Sequence, residues 1–469
     1  MYNSAKNSTI CAISTPVGAG GIAVIRVAGE DALAICDKIF VSQKGKKISE
    51  QKPFSVIFGK IVNPQSDAEV IDEVLITVFL APHSFTGENT VEISCHGSAY
   101  IQQKILQALL ANGAKLAQAG EFTQRAFLNG KMDLAQAEAV ADLIASDSAA
   151  AHALAMNQMR GGVSNELNKL RSQLLDFVSL MELELDFSEE DVEFANRNDL
   201  IFLSEKISKK LSSLINSFTL GNAIKNGIPT AIVGETNTGK SSLLNFLLNE
   251  DRAIVSEIHG TTRDTIEDVI NIKGFNFRLI DTAGIRHTEN EIEKIGIERT
   301  YMQIEKAQIV LCLLDCSRNI DEMKKFATKI FNHSKNKKII IIFNKTDLVN
   351  NDKITIINGS FKDFECQKLF ISLKEKIGTE TLPDEILNAA NLAKLPENNV
   401  IIANVRHRDA LQKSLDAVLR VNYGLHNGIS TDLLTQDIRE CLHFMGEITG
   451  EITSNEILGN IFKKFCIGK

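Results

Sequence analysis

The order of apolar and polar positions divides the chain into four stretches. Over residues 1–129, short apolar runs such as Gly21 to Val27 and Val70 to Ala81 alternate with glycine and proline ahead of a helical stretch from Ile101 to Asn112, a pattern that predicts an α+β domain. Over residues 130–226 the apolar positions recur about every 3.6 residues, in DLAQAEAVADLIAS and LNKLRSQLLDFVSLMELELD, and predict helices. Over residues 227–385 the pattern becomes strand, glycine turn and helix, repeated: PTAIVG, KSSLLNFLLN, FRLIDTAG, AQIVLCLLD, KIIIIFNKTD, KLFIS. Strands that are nearly continuous apolar runs, separated by helices, predict a parallel sheet covered on both faces. Helical texture returns over residues 386–469, in RHRDALQKSLDAVLR and LLTQDIRECLHF. Each helical stretch alone has little core, so the economical topology is one helical domain interrupted by an inserted α/β domain. The expected fold class is multidomain, α/β and α+β.

Composition narrows this picture. With 469 residues, 44% hydrophobic and 23% charged, the chain can bury real cores, and wholesale disorder is excluded. No run approaches the ~18 apolar residues of a membrane span, and MYNSAKNSTICAIST has neither the basic patch nor the apolar stretch of a signal peptide, so a cytoplasmic protein is expected. With 59 acidic and 51 basic residues, contact with nucleic acid requires a local basic surface. The eight cysteines (11, 36, 95, 312, 316, 366, 441, 466) contain no C-x-x-C pair and read as reduced thiols, and the nine histidines show no H-x-x-x-H spacing for a transition metal.

The segment from Gly234 to Ser241, GETNTGKS, fits G-x-x-x-x-G-K-[ST] between the strand TAIVG and the helix SSLLNFLL. In such a loop, backbone N–H groups surround a β-phosphate, Lys240 reaches the β and γ oxygens, and the Ser241 hydroxyl ligates Mg2+. Asp281, Thr282, Ala283 and Gly284 end an apolar strand, where an aspartate can hold the Mg2+ shell and a glycine N–H can meet the γ-phosphate. Asn344, Lys345, Thr346 and Asp347 end another. The Asp347 carboxylate can accept from N1–H and the 2-amino group of guanine, a donor pair adenine lacks, so GTP is the expected nucleotide. Between these elements, Gly260, Thr261, Thr262, Arg263 and Asp264 read as a switch loop in which Thr262 is chosen as the Mg2+ ligand. Ser372, Leu373 and Lys374 form either a base-contacting loop or a plain surface turn.

In many GTPases a glutamine follows the D-x-x-G glycine and orients the attacking water. Ile285 stands there and cannot. The orienting group must come from elsewhere: Arg286, Glu289, Glu291 and Glu293 are nearby, and each is otherwise read as a solvated charge at a helix start. The Asn237 side-chain carbonyl either binds a monovalent cation beside the β/γ bridge, where an arginine finger would place its charge, or only stabilises the turn.

These elements, with GTTRD, DTAGIR, SFTGE (Ser84 to Glu88), GEFTQRAFLNGKMDLAQAEAVADLI (Gly120 to Ile144), EKIGIER (Glu293 to Arg299), EITGEITSNEILGNIF and the terminal FCIGK, closely resemble the tRNA-modification GTPase family called MnmE or TrmE, over essentially the whole chain. The resemblance implies a homodimer joined through an N-terminal domain that binds 5-formyl- or 5,10-methylene-tetrahydrofolate. It also implies a flavin-containing (FAD) partner of the MnmG/GidA family in a heterotetramer, and addition of a carboxymethylaminomethyl or aminomethyl group to carbon 5 of the wobble uridine of certain tRNAs. Carried over to matching positions, K+ falls to Asn237, Ser256, Ile258 and Thr261, and Mg2+ to Ser241 and Thr262. Glu293 becomes the water-orienting carboxylate, acting through a bridging water. Folate contacts fall on Arg26, Glu92, Lys131 and Lys469, a cationic and hydrogen-bonding set suited to a pterin ring and a glutamate tail. The nucleotide set runs through Asn237, Thr238, Gly239, Lys240, Ser241 and Ser242, then Ser256, Glu257, Ile258, His259, Gly260, Thr261 and Thr262. It is completed by the two strand-end motifs and the loop Ser372 to Lys374. Lys240, Arg286, Glu293 and the terminal Cys466 are the candidate catalytic residues.

The chain departs from that family at Thr236, which replaces a frequent proline and should loosen the phosphate loop. Ser98 replaces the second glycine of C/G-H-G-G, which puts the backbone near His96 in question, and Leu373 replaces the usual alanine of S-A-[KR]. The terminal CIGK mimics a prenylation box, but Gly468 and Lys469 do not suit one, so no membrane anchoring is expected. The alternative function is a regulatory GTP-binding switch in ribosome assembly. Such proteins usually append a basic RNA-binding domain, and no segment here has dense Lys/Arg with interleaved aromatics. A helical scaffold that merely dimerises leaves the phosphate and guanine loops unexplained.

Overall fold

The computed structural model describes residues 8–16, 18–63, 69–186, 196–250, 268–280, 301–390, 392, 400–453, 455–463 and 465–468. The chain gathers into two units, one of Met1–Ile144, Gln158–Lys209 and Ala410–Lys469, the other of Ala145–Asn157 and Lys210–Asp409.

In the first unit the N-terminal alternation becomes strands β1 (Ile10–Ile13), β2 (Gly20–Ala28), β3 (Phe40–Ser42), β4 (Ser55–Asn63), β5 (Glu69–Phe79), β6 (Thr90–Gly97) and β7 (Lys115–Leu116). Among the described residues they form one seven-stranded sheet in the order β3-β4-β5-β6-β2-β1-β7. Neighbours are antiparallel except for the parallel pair β1 and β7. Period-two alternation sends Ala23, Ile25 and Val27 of β2, Val74, Ile76 and Val78 of β5, and Val91, Ile93 and Cys95 of β6 to one face. There they meet Ile35, Ile39, Ile105 and Leu109 of the helices Ala32–Ile39 and Ala99–Ala111. Each fully buried isoleucine contributes about 1.5–3 kcal/mol of transfer free energy. The opposite face is apolar too at β3 to β5: Phe58 stands across from Leu75, and Val41, Val56, Phe58 and Leu75 are all exposed.

The helical part of this unit packs Gly162–Asp186 against Thr431–Thr449, with Arg171 bridging to Glu451 at 2.6 Å. Leu134 and Ala137 of the helix Leu134–Ala145 bury themselves against Leu458, Ile461 and Phe462 of Asn455–Phe462 and against Phe465. Beyond that helix the chain returns to the sheet-bearing region, where Ile467 forms a β-bridge with Ala119.

The second unit holds β8 (Ile228–Gly234), β9 (Asp268–Ile272), β10 (Phe275–Leu279), β11 (Ile309–Asp315), β12 (Lys338–Asn344) and β13 (Gln367–Phe370) in the order β13-β12-β11-β8-β10-β9. Its pairs are parallel except β9–β10. Alternate residues of β8, β11 and β12 feed opposite cores. Ile232, Leu311, Leu313, Ile340 and Ile342 meet Leu243, Leu247, Leu382 and Ile386 on one side, while Ala231, Val233, Val310, Leu314 and Phe343 meet Met323, Ala327, Ile330, Ile357 and Phe361 on the other. This is the doubly covered parallel sheet that the continuous apolar runs predict. The strand expected at FRLIDTAG is β10, and the antiparallel edge strand β9 beside it is an addition. Lys273 and Gly274 take φ of 49° and 88°, the two left-handed positions of a tight turn, and Ile272 pairs with Phe275 across it. Among the described residues no helix is long and apolar enough to cross a membrane.

Candidate functional site

The phosphate loop leaves β8 at Gly234 and enters the helix Lys240–Glu250. Glycine is required at both ends. A Cβ on Gly234 would lie 2.6 Å from the Leu313 carbonyl oxygen, and one on Gly239, whose φ is 104°, would lie 2.4 Å from Asn344 Nδ2. A glycine-bounded loop running into a helix N-terminus is a ready anion site, because its unpaired N–H groups and the helix dipole both favour negative charge. Within the loop, Thr238 Oγ1 donates to the Glu235 carbonyl at 2.9 Å. Asn237 is exposed with φ of 62°. Lys240 Nζ folds back to donate to the carbonyls of Gly234 and Glu235 at 2.8 and 2.7 Å. Desolvation by burial, followed by the nearby Arg318 charge, lowers the Lys240 pKa, against an opposing pull from Glu235.

The segment Asn344 to Asp347, expected from the sequence to read guanine, lies next to this loop. Asn344, buried at the end of β12, donates through Nδ2 to the Thr238 carbonyl at 2.8 Å and accepts from the Leu373 N–H at 3.2 Å. One amide therefore ties the phosphate loop to the Ser372–Lys374 loop. Ser372 is fully buried, and its hydroxyl donates to Asp347 Oδ1 at 2.5 Å, fixing the orientation of an otherwise exposed carboxylate. The Ser372 loop is closed by paired backbone bonds with Ile377 at 2.9 and 3.1 Å. Lys345 sits at φ of 66° and its Nζ donates to Asp315 Oδ2 at 2.7 Å. Burial works to raise the Asp315 pKa, but the Lys345 and Ser317 hydrogen bonds outweigh it and hold the carboxyl below the ordinary aspartate range. A depressed folded pKa means that this link contributes at neutral pH and is lost as pH falls through the folded value.

Ser241 and Ser242 are exposed in the first turn of the helix, Thr346 donates its N–H to the Ile371 carbonyl at 3.2 Å, and Lys374 is exposed. A serine hydroxyl at that helix start is a hard oxygen donor of the kind Mg2+ takes, and the Asn237 amide oxygen suits a monovalent cation. Ser256, Glu257, Ile258, His259, Gly260, Thr261, Thr262, Asp281, Thr282, Ala283, Gly284, Arg286 and Glu293 lie outside the described residues. Sequence reasoning passed over Asp315, which a charged residue closing an all-apolar strand could have signalled, and Arg318, which nothing in the pattern marks. Arg318 pairs through Nη1 with the Glu235 carboxylate, and its Nη2 donates to the Thr236 carbonyl at 2.6 Å. The turn that loses a proline at Thr236 is therefore held by an arginine.

A second polar cluster lies in the N-terminal sheet. Arg26 and Glu92 face each other across β2 and β6, with Nε and Nη2 at 3.0 and 2.8 Å from Glu92 Oε1. The Arg26 guanidinium carbon lies 5.5 Å from the ring centroids of both Phe85 and Phe122, a cation–π arrangement that the sequence did not announce. Lys131 reaches the same loop, donating to the Pro82 carbonyl at 2.9 Å. Buried Arg125 braces it from beneath, through Glu88 at 3.2 Å and Glu121 at 2.9 Å. The C-terminal tail docks beside Phe122: Gly120 N–H donates to the Cys466 carbonyl at 3.4 Å and Ser14 Oγ to the Gly468 carbonyl at 3.2 Å. A Cβ on Gly468, at φ of 96°, would lie 2.2 Å from the Ile13 carbonyl oxygen. Cys466 is exposed, whereas burial pushes the thiols of Cys11, Cys316 and Cys441 up to about 12. Lys469 lies outside the described residues. Ser98 takes φ −75° and ψ 131° as the residue preceding a helix, so the position needs none of glycine's freedom. His96 is held by Asp72, with Nδ1 and the backbone N–H each 2.8 Å from its carboxylate oxygens.

Residues 9–131 match the family model described as the GTP-binding protein TrmE N-terminus, and residues 134–466 match that of the MnmE helical domain. The chain is 55% identical over 468 residues to the tRNA modification GTPase MnmE of Bacteroides thetaiotaomicron, covering 99% of this chain and 100% of the relative. It is 53% identical over 466 residues to the protein of the same name from Flavobacterium psychrophilum, covering 99% of each. The crowding at Gly239 gives a direct test: Gly239→Ala should weaken binding of a fluorescent guanine nucleotide at least ~10-fold, the effect of about 1.4 kcal/mol, while leaving the fold intact by circular dichroism. Unchanged affinity would remove the loop from the binding site.

Proposed function

The chain belongs to the MnmE family of tRNA modification GTPases, and from that premise we propose that it couples K+-assisted GTP hydrolysis to modification of the wobble uridine of certain tRNAs at carbon 5. The observation that carries the nucleotide half is the Asn344 amide, which holds the phosphate loop and the Ser372 loop at once. Asp347, with one oxygen engaged by Ser372, accepts from N1–H and the 2-amino group of guanine. Adenine would leave that acceptor unpaired, at a cost of about 1–3 kcal/mol. Lys240 exchanges the neutral carbonyls of Gly234 and Glu235 for anionic β and γ oxygens, and charge-assisted bonds are roughly twice as strong. Ser241 with Thr262 would hold Mg2+, and Asn237 with Ser256, Ile258 and Thr261 would hold K+, the two ions neutralising charge at the phosphates. Ile285 cannot orient water, so Glu293 takes that role through a bridging water.

In the same reading, residues 1–129 bind the folate and dimerise, 130–226 with 386–469 form the helical domain, and 227–385 form the GTPase domain. A formyl- or methylene-tetrahydrofolate supplies the one-carbon unit. Arg26, placed between Phe85 and Phe122 and paired with Glu92, suits a planar ring carrying hydrogen-bonding edges, and Lys131 and Lys469 suit its carboxylate tail. The tail contacts at Gly120 and Ser14 hold Cys466 beside this cluster. A flavoprotein partner of the MnmG type, carrying FAD, completes the chemistry in a heterotetramer.

The exposed face around Phe58 and Leu75 supports self-association, since contiguous apolar surface of this kind marks an interaction site. Leu75→Asp should convert the dimer to a monomer in sedimentation velocity; a persistent dimer would move the interface elsewhere. GTP turnover should run several-fold faster in KCl than in NaCl at equal ionic strength, and equal rates would count against a cation at Asn237. Nucleoside analysis of tRNA from cells lacking the protein should show wobble uridine without its carbon-5 substituent. A normal nucleoside profile would sink the functional reading.

A further inference from the structure

We propose that Arg318 is a positioning residue of the nucleotide site: it fastens the first turn of the phosphate loop and ties that loop to the guanine-recognition loop through Asp315. The proposal rests on reading the 234–241 loop as the GTP phosphate cradle.

Arg318 spends two donors on two successive residues of the loop, the Glu235 carboxylate and the Thr236 carbonyl, the latter at 2.6 Å. The next residue, Asn237, is left-handed at φ of 62°. A turn whose third residue has positive φ favours proline at its second position, because proline fixes φ near −65° there. Thr236 supplies no such restraint. The planar guanidinium fork supplies it from outside, and its geometry suits two simultaneous acceptors better than a lysine ammonium would.

Arg318 is itself anchored. Its N–H donates to the Asp315 carbonyl at 3.1 Å. One Asp315 oxygen accepts from the Ser317 N–H and hydroxyl at 2.9 and 2.7 Å, and the other accepts from Lys345 of the guanine loop at 2.7 Å. Lys353 Nζ adds a bond to the Ser317 carbonyl at 3.0 Å. Asp315 is 4% exposed, so this anchor is shielded from solvent. Arg318 also neutralises Glu235, a carboxylate that would otherwise stand in a loop meant for a polyanion. Losing the arginine should therefore harm a triphosphate more than a diphosphate.

The test uses the full chain, with stopped-flow fluorescence of methylanthraniloyl-GTP and -GDP. Arg318→Ala should raise the dissociation constant for the GTP probe about 5- to 30-fold, the range that one or two kcal/mol spans, mostly through faster release and with a smaller effect on the GDP probe. Adding Thr236→Pro to Arg318→Ala should recover most of the loss, since the proline restores the turn without the fork. Should Arg318→Ala fail to fold, Arg318→Lys takes its place in both comparisons. Wild-type release rates in the single variant, or no recovery in the double variant, would overturn the proposal. Absence of guanine-nucleotide binding by the unaltered protein would instead overturn the reading on which it rests.

Discussion

The packing of the Asn344 amide against Gly239 is the contact on which the arrangement of the glycine-bounded loop and its neighbours depends. Gly239 must lack a side chain because Nδ2 occupies the space a Cβ would take, and Nδ2 must be there because it satisfies the Thr238 carbonyl. The other end of the same amide receives the Leu373 N–H. Three loops, each following a different parallel strand, are thus fixed by one buried planar group. Buried amides are effective in this role because donor and acceptor sit on one rigid plane, and an unmade bond in the interior costs the full desolvation of its partner.

A second connection runs parallel to the first, through charge. Lys345, Asp315, Ser317 and Arg318 form a chain of hydrogen bonds that also ends on the phosphate loop. The two routes differ in kind. The Asn344 route is neutral and buried, and insensitive to salt. The Arg318 end of the other lies at partial exposure, 31% for its side chain and 33% for Glu235, so screening weakens it there. The phosphate-loop motif and the Asn344–Asp347 turn are coupled by a rigid link and an adjustable one.

Much of this was legible before any coordinates. The parallel sheet announced itself because its central strands are buried on both faces and so form nearly continuous apolar runs, and the glycine and lysine spacing of the phosphate loop is the pattern of an anion cradle. The N-terminal sheet was legible only as a class, since its outward face at Val56, Phe58 and Leu75 is also apolar and blurs the alternation that would give strand bounds. Arg318, Phe85 and Phe122 were illegible for a different reason. Each acts across the chain on a partner distant in sequence; Arg318 and Phe85 are single residues outside helices and strands, and the helical spacing of Phe122, in the first turn of Glu121–Leu128, gives no sign of its partner. The consequences expected of Thr236 and Ser98 were local readings of missing proline or glycine. At Thr236 a remote arginine takes over the restraint, and at Ser98 the backbone is ordinary.

The fit of Gly468 against Ile13 joins two segments that lie some 454 residues apart along the chain. Hundreds of residues, the second helical stretch among them, separate the strand end at Ile13 from the segment that packs on it. A chain lacking that segment would keep the strands of the sheet and lose the hydrogen bonds that Gly120 and Ser14 donate to it.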